Sequence, residues 1–236
     1  MFSTYISPEN MDLASILSPI SDNTILVKDN NGSPYLTEWA FNSIGEIVIG
    51  QGYQIKVDAD VSLEICGDYL LPENNSVSLS SGWNLVGYLR TEPALADAVF
   101  ADIIEDIVLV KDYLGSVYMP EMNFNGIGEM HPGQGYQVKT SNSTVLTYLS
   151  NDETYRTSNI EVTNNSVSHF EKVAPTDNNM TIVIEDAVWD LLPKEGAEIA
   201  AYNTEGILVG STKYTSPLTV ITVWGDDATT EAKDGL

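Results

Sequence analysis

Residues equipped for catalysis are sparse in this chain. His131 and His169 are its two histidines, and its single cysteine, Cys66, has no base beside it in sequence. An activated nucleophile needs a neighbouring base and a group that orients that base. Neither a Gly-x-Ser-x-Gly elbow nor a phosphate-cradling Gly-rich loop occurs. Carboxylates are the exception, because 34 Asp and Glu supply many pairs that a glycosidase could use. That abundance makes any chosen pair uninformative. The expectation is a protein that is not an enzyme.

Three groups could bind a partner instead. Asp226, Asp227 and Asp234, with Thr229 and Thr230 between them, form an oxygen-rich loop. Calcium takes roughly six to eight oxygen ligands and is the cofactor such a loop would hold. The spacing is not that of an EF-hand, and the competing reading is a solvated acidic turn. Tyr35, Trp39, Tyr53, Trp83, Tyr118 and Tyr136 could offer flat rings to a sugar. Met122 stands where a second Trp39 would be, so the glycan candidates are Tyr35 and Tyr118, with Tyr53 and Tyr136; core packing of strand aromatics competes. Lys28, Lys56, Lys111 and Lys139 are four of the ten basic residues. They would either pair with carboxylates such as Glu38, Glu46, Glu121 and Glu129, at about 0–1 kcal/mol each, or form one ligand site per repeat.

The repeat that carries these residues is read directly from the sequence. Gly50-Gln51-Gly52-Tyr53-Gln54-Ile55-Lys56 returns 83 positions later as Gly133-Gln134-Gly135-Tyr136-Gln137-Val138-Lys139. At the same offset Val27-Lys28-Asp29 matches Val110-Lys111-Asp112, Tyr35 matches Tyr118, Phe41-Asn42 matches Phe124-Asn125, and Ile44-Gly45-Glu46 matches Ile127-Gly128-Glu129. Such self-similarity sets architecture before local propensity does. Three parts follow: repeat module 1 at 1–68, repeat module 2 at 69–150, and a third domain at 151–236. The glycines Gly50, Gly52, Gly133 and Gly135 serve positive φ or close backbone approach, with Lys56 and Lys139 closing the motif.

Each repeat should be mostly β with one short helix. Met11, Leu13, Ile16, Leu17 and Ile20 recur at helical spacing, with Asn10 or Asp12 as cap, and Leu95, Ala98, Val99 and Ile103 repeat the pattern. Thr24 to Lys28 and Ile107 to Lys111 begin hairpins that end in Ser33 to Trp39 and Ser116 to Met122. A final strand, Val61 to Ile65 or Thr144 to Leu149, should close each module. Beyond residue 150, runs at Ser168 to Val173, Met180 to Ile184, Glu198 to Tyr202, Leu208 to Tyr214 and Leu218 to Val223 suggest a small β-sandwich. Asp186 to Leu192 could add one helical turn. The fold class is therefore mainly β.

Charge narrows the partners. Ten Lys and Arg against 34 Asp and Glu leave a net charge of -24, which repels phosphate backbones and anionic headgroups. No nucleic acid and no membrane insertion are expected. With 43% hydrophobic residues the chain folds, and one cysteine leaves no intramolecular disulfide and no cysteine-based metal site. Gly82-Trp83 opens the second repeat without a counterpart in the first, and Lys233-Asp234-Gly235-Leu236 reads as a turn into a missing strand. Both ends suggest a piece of a longer protein.

With Gly82-Trp83-Asn84, the paired Gly-Gln-Gly-Tyr-Gln motif and Thr222-Val223-Trp224-Gly225-Asp226-Asp227-Ala228-Thr229-Thr230 in view, the chain resembles tandem-repeat segments of large secreted or surface-attached proteins of marine bacteria, especially Bacteroidota, and of marine metagenomes. The resemblance spans nearly the whole chain. It implies export to the cell surface or beyond and a role as adhesin or surface-layer material, and it brings no catalytic residues. The expected function is a non-enzymatic extracellular structural or adhesive module, whose partners are other modules of the same or a neighbouring surface protein. The alternatives are a carbohydrate-binding module and a segment of a phage fibre or decoration protein.

Overall fold

The computed structural model describes residues 1–155, 167–176, 178–227, 233 and 235–236. The chain divides into two compact units, Met1–Tyr113 with Val117–Thr163, and Asn164–Leu236 with Leu114–Ser116. Apart from Leu114–Ser116, both repeat modules fall within one unit. The fold is mainly β, as the alternating patterns require.

In the first repeat, the β-branched run Thr24–Lys28 pairs antiparallel with Pro34–Leu36 on one side and Gln54–Val57 on the other, and Phe41–Asn42 extends the hairpin. The second repeat builds the same order from Ile107–Lys111, Val117–Met119, Phe124–Asn125 and Gly135–Thr140. It adds a fifth strand, Gly82–Gly87, along Gly135–Thr140. Each repeat carries its helical turn, Leu13–Leu17 or Ala96–Val99, continued by a 3-10 segment. Asp12 caps the first, its carboxylate accepting from the Ser15 amide at 2.8 Å.

The two cores match position for position. Leu13, Leu17, Val27, Tyr35, Ile47 and Tyr53 are buried in the first repeat, and Ala96, Phe100, Val110, Tyr118, Met130 and Tyr136 in the second. The exchange is partly compensated within the turn of helix, since the leucine pair Leu13 and Leu17 is replaced by a small and a large residue, Ala96 and Phe100. Close-packed interiors tolerate this kind of compensated exchange better than an isolated change in size.

The expected closing strand forms only in the second repeat. Thr144–Leu146 pairs with Val77–Leu79. Residues 61–65 run without a ladder among the described residues, since a strand is defined by its partner's hydrogen bonds and not by its own propensity.

Turn geometry is duplicated as well. Asn123 takes φ 51°, and Ala40, its equivalent, takes φ 47°. Asn accepts this left-handed conformation, whereas an ordinary L-residue is strained there by about 1–2 kcal/mol. Replacing exposed Ala40 with Asn is expected to stabilise the fold by about 0.5–1 kcal/mol and to raise the melting temperature by roughly 2 °C. A thermal melt with an unchanged or lowered midpoint would count against this account.

The second unit is built from two antiparallel ribbons. Asn179–Glu185 pairs with Leu218–Trp224, and Glu198–Tyr202 with Leu208–Lys213. Val209, Ile221 and Val223, with Ile182, Ile184 and Ala201 against them, form their shared core. Asp186–Val188 supplies a single 3-10 turn. The strand expected over Ser168–Val173 does not form. The backbone there is held by a side chain instead, as the Ser168 and His169 amides donate to the Glu198 carboxylate at 2.8 and 2.7 Å, and the Ser168 hydroxyl donates at 2.9 Å. These bonds, led by the one from the Ser168 amide, bring the pKa of Glu198 down to about 2.

Candidate functional site

The glycine motifs mark a crossing of the two repeats. Phe2 exchanges two backbone hydrogen bonds of 2.8 Å with Tyr53 of its own repeat and bridges Gln134 of the other. Reciprocally, Val86 pairs with Tyr136 and bridges Gln51. The Ser3 amide donates to the Gly133 carbonyl at 2.9 Å, and the Gly87 amide to that of Gly50 at 2.8 Å. At the centre lie Gly52 and Gly135. A Cβ on Gly52 would stand 2.9 Å from the Val86 carbonyl oxygen and 3.2 Å from the Gly135 Cα; one on Gly135 would stand 2.9 Å from the Phe2 carbonyl oxygen and 3.2 Å from the Gly52 Cα. Side chains are excluded because backbone, which cannot rotate away, occupies the space. Gly50 and Gly133 do different work, turning the chain at φ 85° and 78°.

The tyrosines expected to stack on sugars are core residues. Tyr35, Tyr53, Tyr118 and Tyr136 are at most 7% exposed, so none offers a ring face to solvent. The hydroxyls of Tyr53 and Tyr136 lie inside the fold, accepting from the Val48 and His131 amides at 2.7 and 2.8 Å. Burial raises the pKa of both, that of Tyr136 to about 12. Of the six aromatics that could offer a ring to a sugar, Trp39 at 71% and Trp83 at 49% are exposed.

Trp83 gives two of the repeated lysines an aromatic neighbour. Lys139, its cross-strand partner, places Nζ 5.7 Å from the indole centroid, and Lys111 places Nζ at 5.8 Å. Cation–π attraction operates at this range. Lys111 is buried and its pKa is lowered by desolvation.

Asp226 and Asp227 follow the strand Leu218–Trp224, with Asp226 exposed. Asp234, Thr229 and Thr230 lie outside the described residues. Among the described residues no group of three or more His, Cys, Asp or Glu is placed to hold a metal ion, and no helix is long and apolar enough to cross a membrane.

Two arrangements escaped the sequence reading. Asp97 and Asn125 are buried beside each other in the second repeat, with the Asn125 amide 3.5 Å from the Asp97 carboxylate. Burial raises the Asp97 pKa. Asn125 also accepts from the Gly128 amide at 2.9 Å, which matches Asn42 accepting from Gly45 at 3.0 Å, so its first role is to hold a turn. The second arrangement surrounds Arg90, which is 3% exposed. Its Nη2 donates to the carbonyls of Ser150, at 3.1 Å, and Glu153, and its guanidinium lies 4.8 Å from the Tyr155 ring centroid. Arg90 lines a cavity of about 280 Å³. No sequence signal marks it beyond a difference between the copies: Ser7 stands where the second repeat has Arg90.

No protein-family model, curated protein sequence or solved structure matches this chain.

Proposed function

We propose that the chain is a non-enzymatic structural and adhesive module of an extracellular or cell-surface protein, in which the paired repeats act as a stiff spacer. The observation that supports this reading is the reciprocal crossing at Gly52 and Gly135, which gives two repeats one continuous backbone-bonded body. A pair of modules joined only by a linker would bend between them. Under load, residues 1–155 are expected to unfold in a single event, and antibodies to the chain should label intact cells of its source. Two separate unfolding events would argue against the spacer, and labelling only after permeabilisation would argue against surface exposure.

Calcium belongs to the same proposal and rests on the acidic loop at Asp226, Asp227 and Asp234. A ligand of the native state alone raises apparent stability by mass action. The supporting result is a melting temperature higher in millimolar calcium than in EDTA, with the difference lost in Asp226→Asn/Asp227→Asn. An unchanged melting temperature would leave this loop a solvated turn.

A further inference from the structure

The second repeat buries a carboxyl where the first has none. Asp97 is 7% exposed, and the residue at the equivalent position of the first repeat is Ala14. The junction between helical turn and loop is otherwise the same in both copies. In the second repeat the Ala96 amide donates to the Gly128 carbonyl at 3.0 Å and the Gly128 amide to Asn125 Oδ1 at 2.9 Å. In the first, the Leu13 amide donates to the Gly45 carbonyl at 2.9 Å and the Gly45 amide to Asn42 Oδ1 at 3.0 Å. The junction thus closes without a carboxyl, and Asp97 is an addition to its frame. The carboxylate accepts from the Asp97 and Ala98 amides and lies 3.5 Å from Asn125 Nδ2, and no cation among the described residues offsets its charge. Tyr118 is the titratable group that shares its field. Of the neighbouring segments, Ala101–Asp106 brings Asp102, Glu105 and Asp106, Glu129–Met130 brings Glu129, and Phe124–Asn125 brings no titratable group.

We propose that Asp97 makes this junction pH-sensitive, closed while its carboxyl is protonated and loosened once it ionises. A buried charge without an opposite partner is costlier than the neutral acid. Burial accordingly raises the Asp97 pKa, and the bonds from the two amides and Asn125 offset this only in part. Protonation also adds an O–H donor that the carboxylate lacks. Tyr118 Oη, in the same core, is a buried polar atom with no hydrogen-bond partner among the described residues. Ionisation reaches the loop through Asn125, whose Nδ2 donates to the Gly128 carbonyl at 3.3 Å as well as facing Asp97. A carboxylate competes with that carbonyl for the same donor. For an acid whose folded pKa is raised, the contribution to stability is fully present below the unfolded value of about 4 and is lost as pH rises through the folded value. The Asp97 contribution is therefore largest in acid and fades towards neutrality.

The test compares thermal melts of the full chain and of Asp97→Asn from about pH 4.5 to about pH 7.5. Asp97→Asn should melt higher than the natural protein at the upper end, by roughly 2 °C or more, and the advantage should shrink towards the acid end. Asp102→Asn, an exposed change of the same charge, shows what the loss of one negative charge does by itself, and the gain from Asp97→Asn at the upper end should exceed it. Carbon-detected NMR of the natural protein reads the site directly. The Asp97 carboxyl should titrate above the ordinary aspartate value of about 4, and the Gly128 amide resonance should move with the same midpoint. The proposal is overturned if the Asp97→Asn advantage does not change with pH, if it is no larger than that of Asp102→Asn, or if the carboxyl titrates at or below the ordinary value.

Discussion

Gly135→Ala is expected to lower the melting temperature by roughly 10 °C, and Gly52→Ala by a similar amount. The added methyl carbon would meet the Phe2 carbonyl oxygen at 2.9 Å in the first case and the Val86 carbonyl oxygen at 2.9 Å in the second. Overpacking a close-packed site costs typically about 1–3 kcal/mol, and here the atoms in the way are main-chain atoms already engaged in the ladder. The upper end of that range is therefore the appropriate one. Because Gly52 and Gly135 face each other, the double substitution should not be additive: once the strands have been pushed apart by one methyl, the second costs less. Thermal melts of the two single variants and the double variant measure both effects. A loss below about 1 kcal/mol in either single variant would mean that the crossing is loosely packed.

The second large effect is expected in alkali. Tyr53, Tyr88, Tyr118, Tyr136 and Tyr148 are at most 2% exposed, and burial raises the pKa of each above its ordinary value. For an acid whose folded pKa is raised, the unfolded chain loses its proton first. The contribution to stability is fully present below the unfolded pKa near 10 and is lost as pH rises towards the folded value, which for Tyr136 is about 12. A shift of that size in Tyr136 alone removes roughly 2–3 kcal/mol, and four further rings act in the same direction. Unfolding should therefore set in above pH 10 and be steep. Tyrosinate absorbance should appear in two phases, an early one from exposed rings and a later one coincident with loss of circular dichroism. Ionisation of all twelve tyrosines in one phase while the fold persists would refute the assignment of these five to a sealed core.

Much of this fold is legible in the sequence, for a definite reason. A strand pattern read once is ambiguous, but Val27 and Val110, or Tyr53 and Tyr136, report the same environment twice, so the helix, hairpin and motif strand of each repeat emerge at the right places. Partner-dependent features are not legible. Residues 61–65 alternate as a strand would but find no ladder partner among the described residues, and Ser168–Val173 is diverted by the Glu198 carboxylate. The candidate sites fared worse, because repetition is evidence for structure before function. Tyr35, Tyr53, Tyr118 and Tyr136 recur because both cores need them. Arg90, which stands where the first repeat has Ser7, is buried, and Trp83 is half-exposed beside Lys111 and Lys139.

The reciprocal bonding at Gly52 and Gly135 has a consequence for how such a protein can grow. The opening segment of each repeat pairs with its own motif strand and bridges the motif of the other, a reciprocal contact, and isologous contacts close on themselves. A third copy added in tandem would find both crossing positions already taken. The unit of duplication is therefore the pair and not the single repeat, so longer relatives built on this plan should contain even numbers of copies.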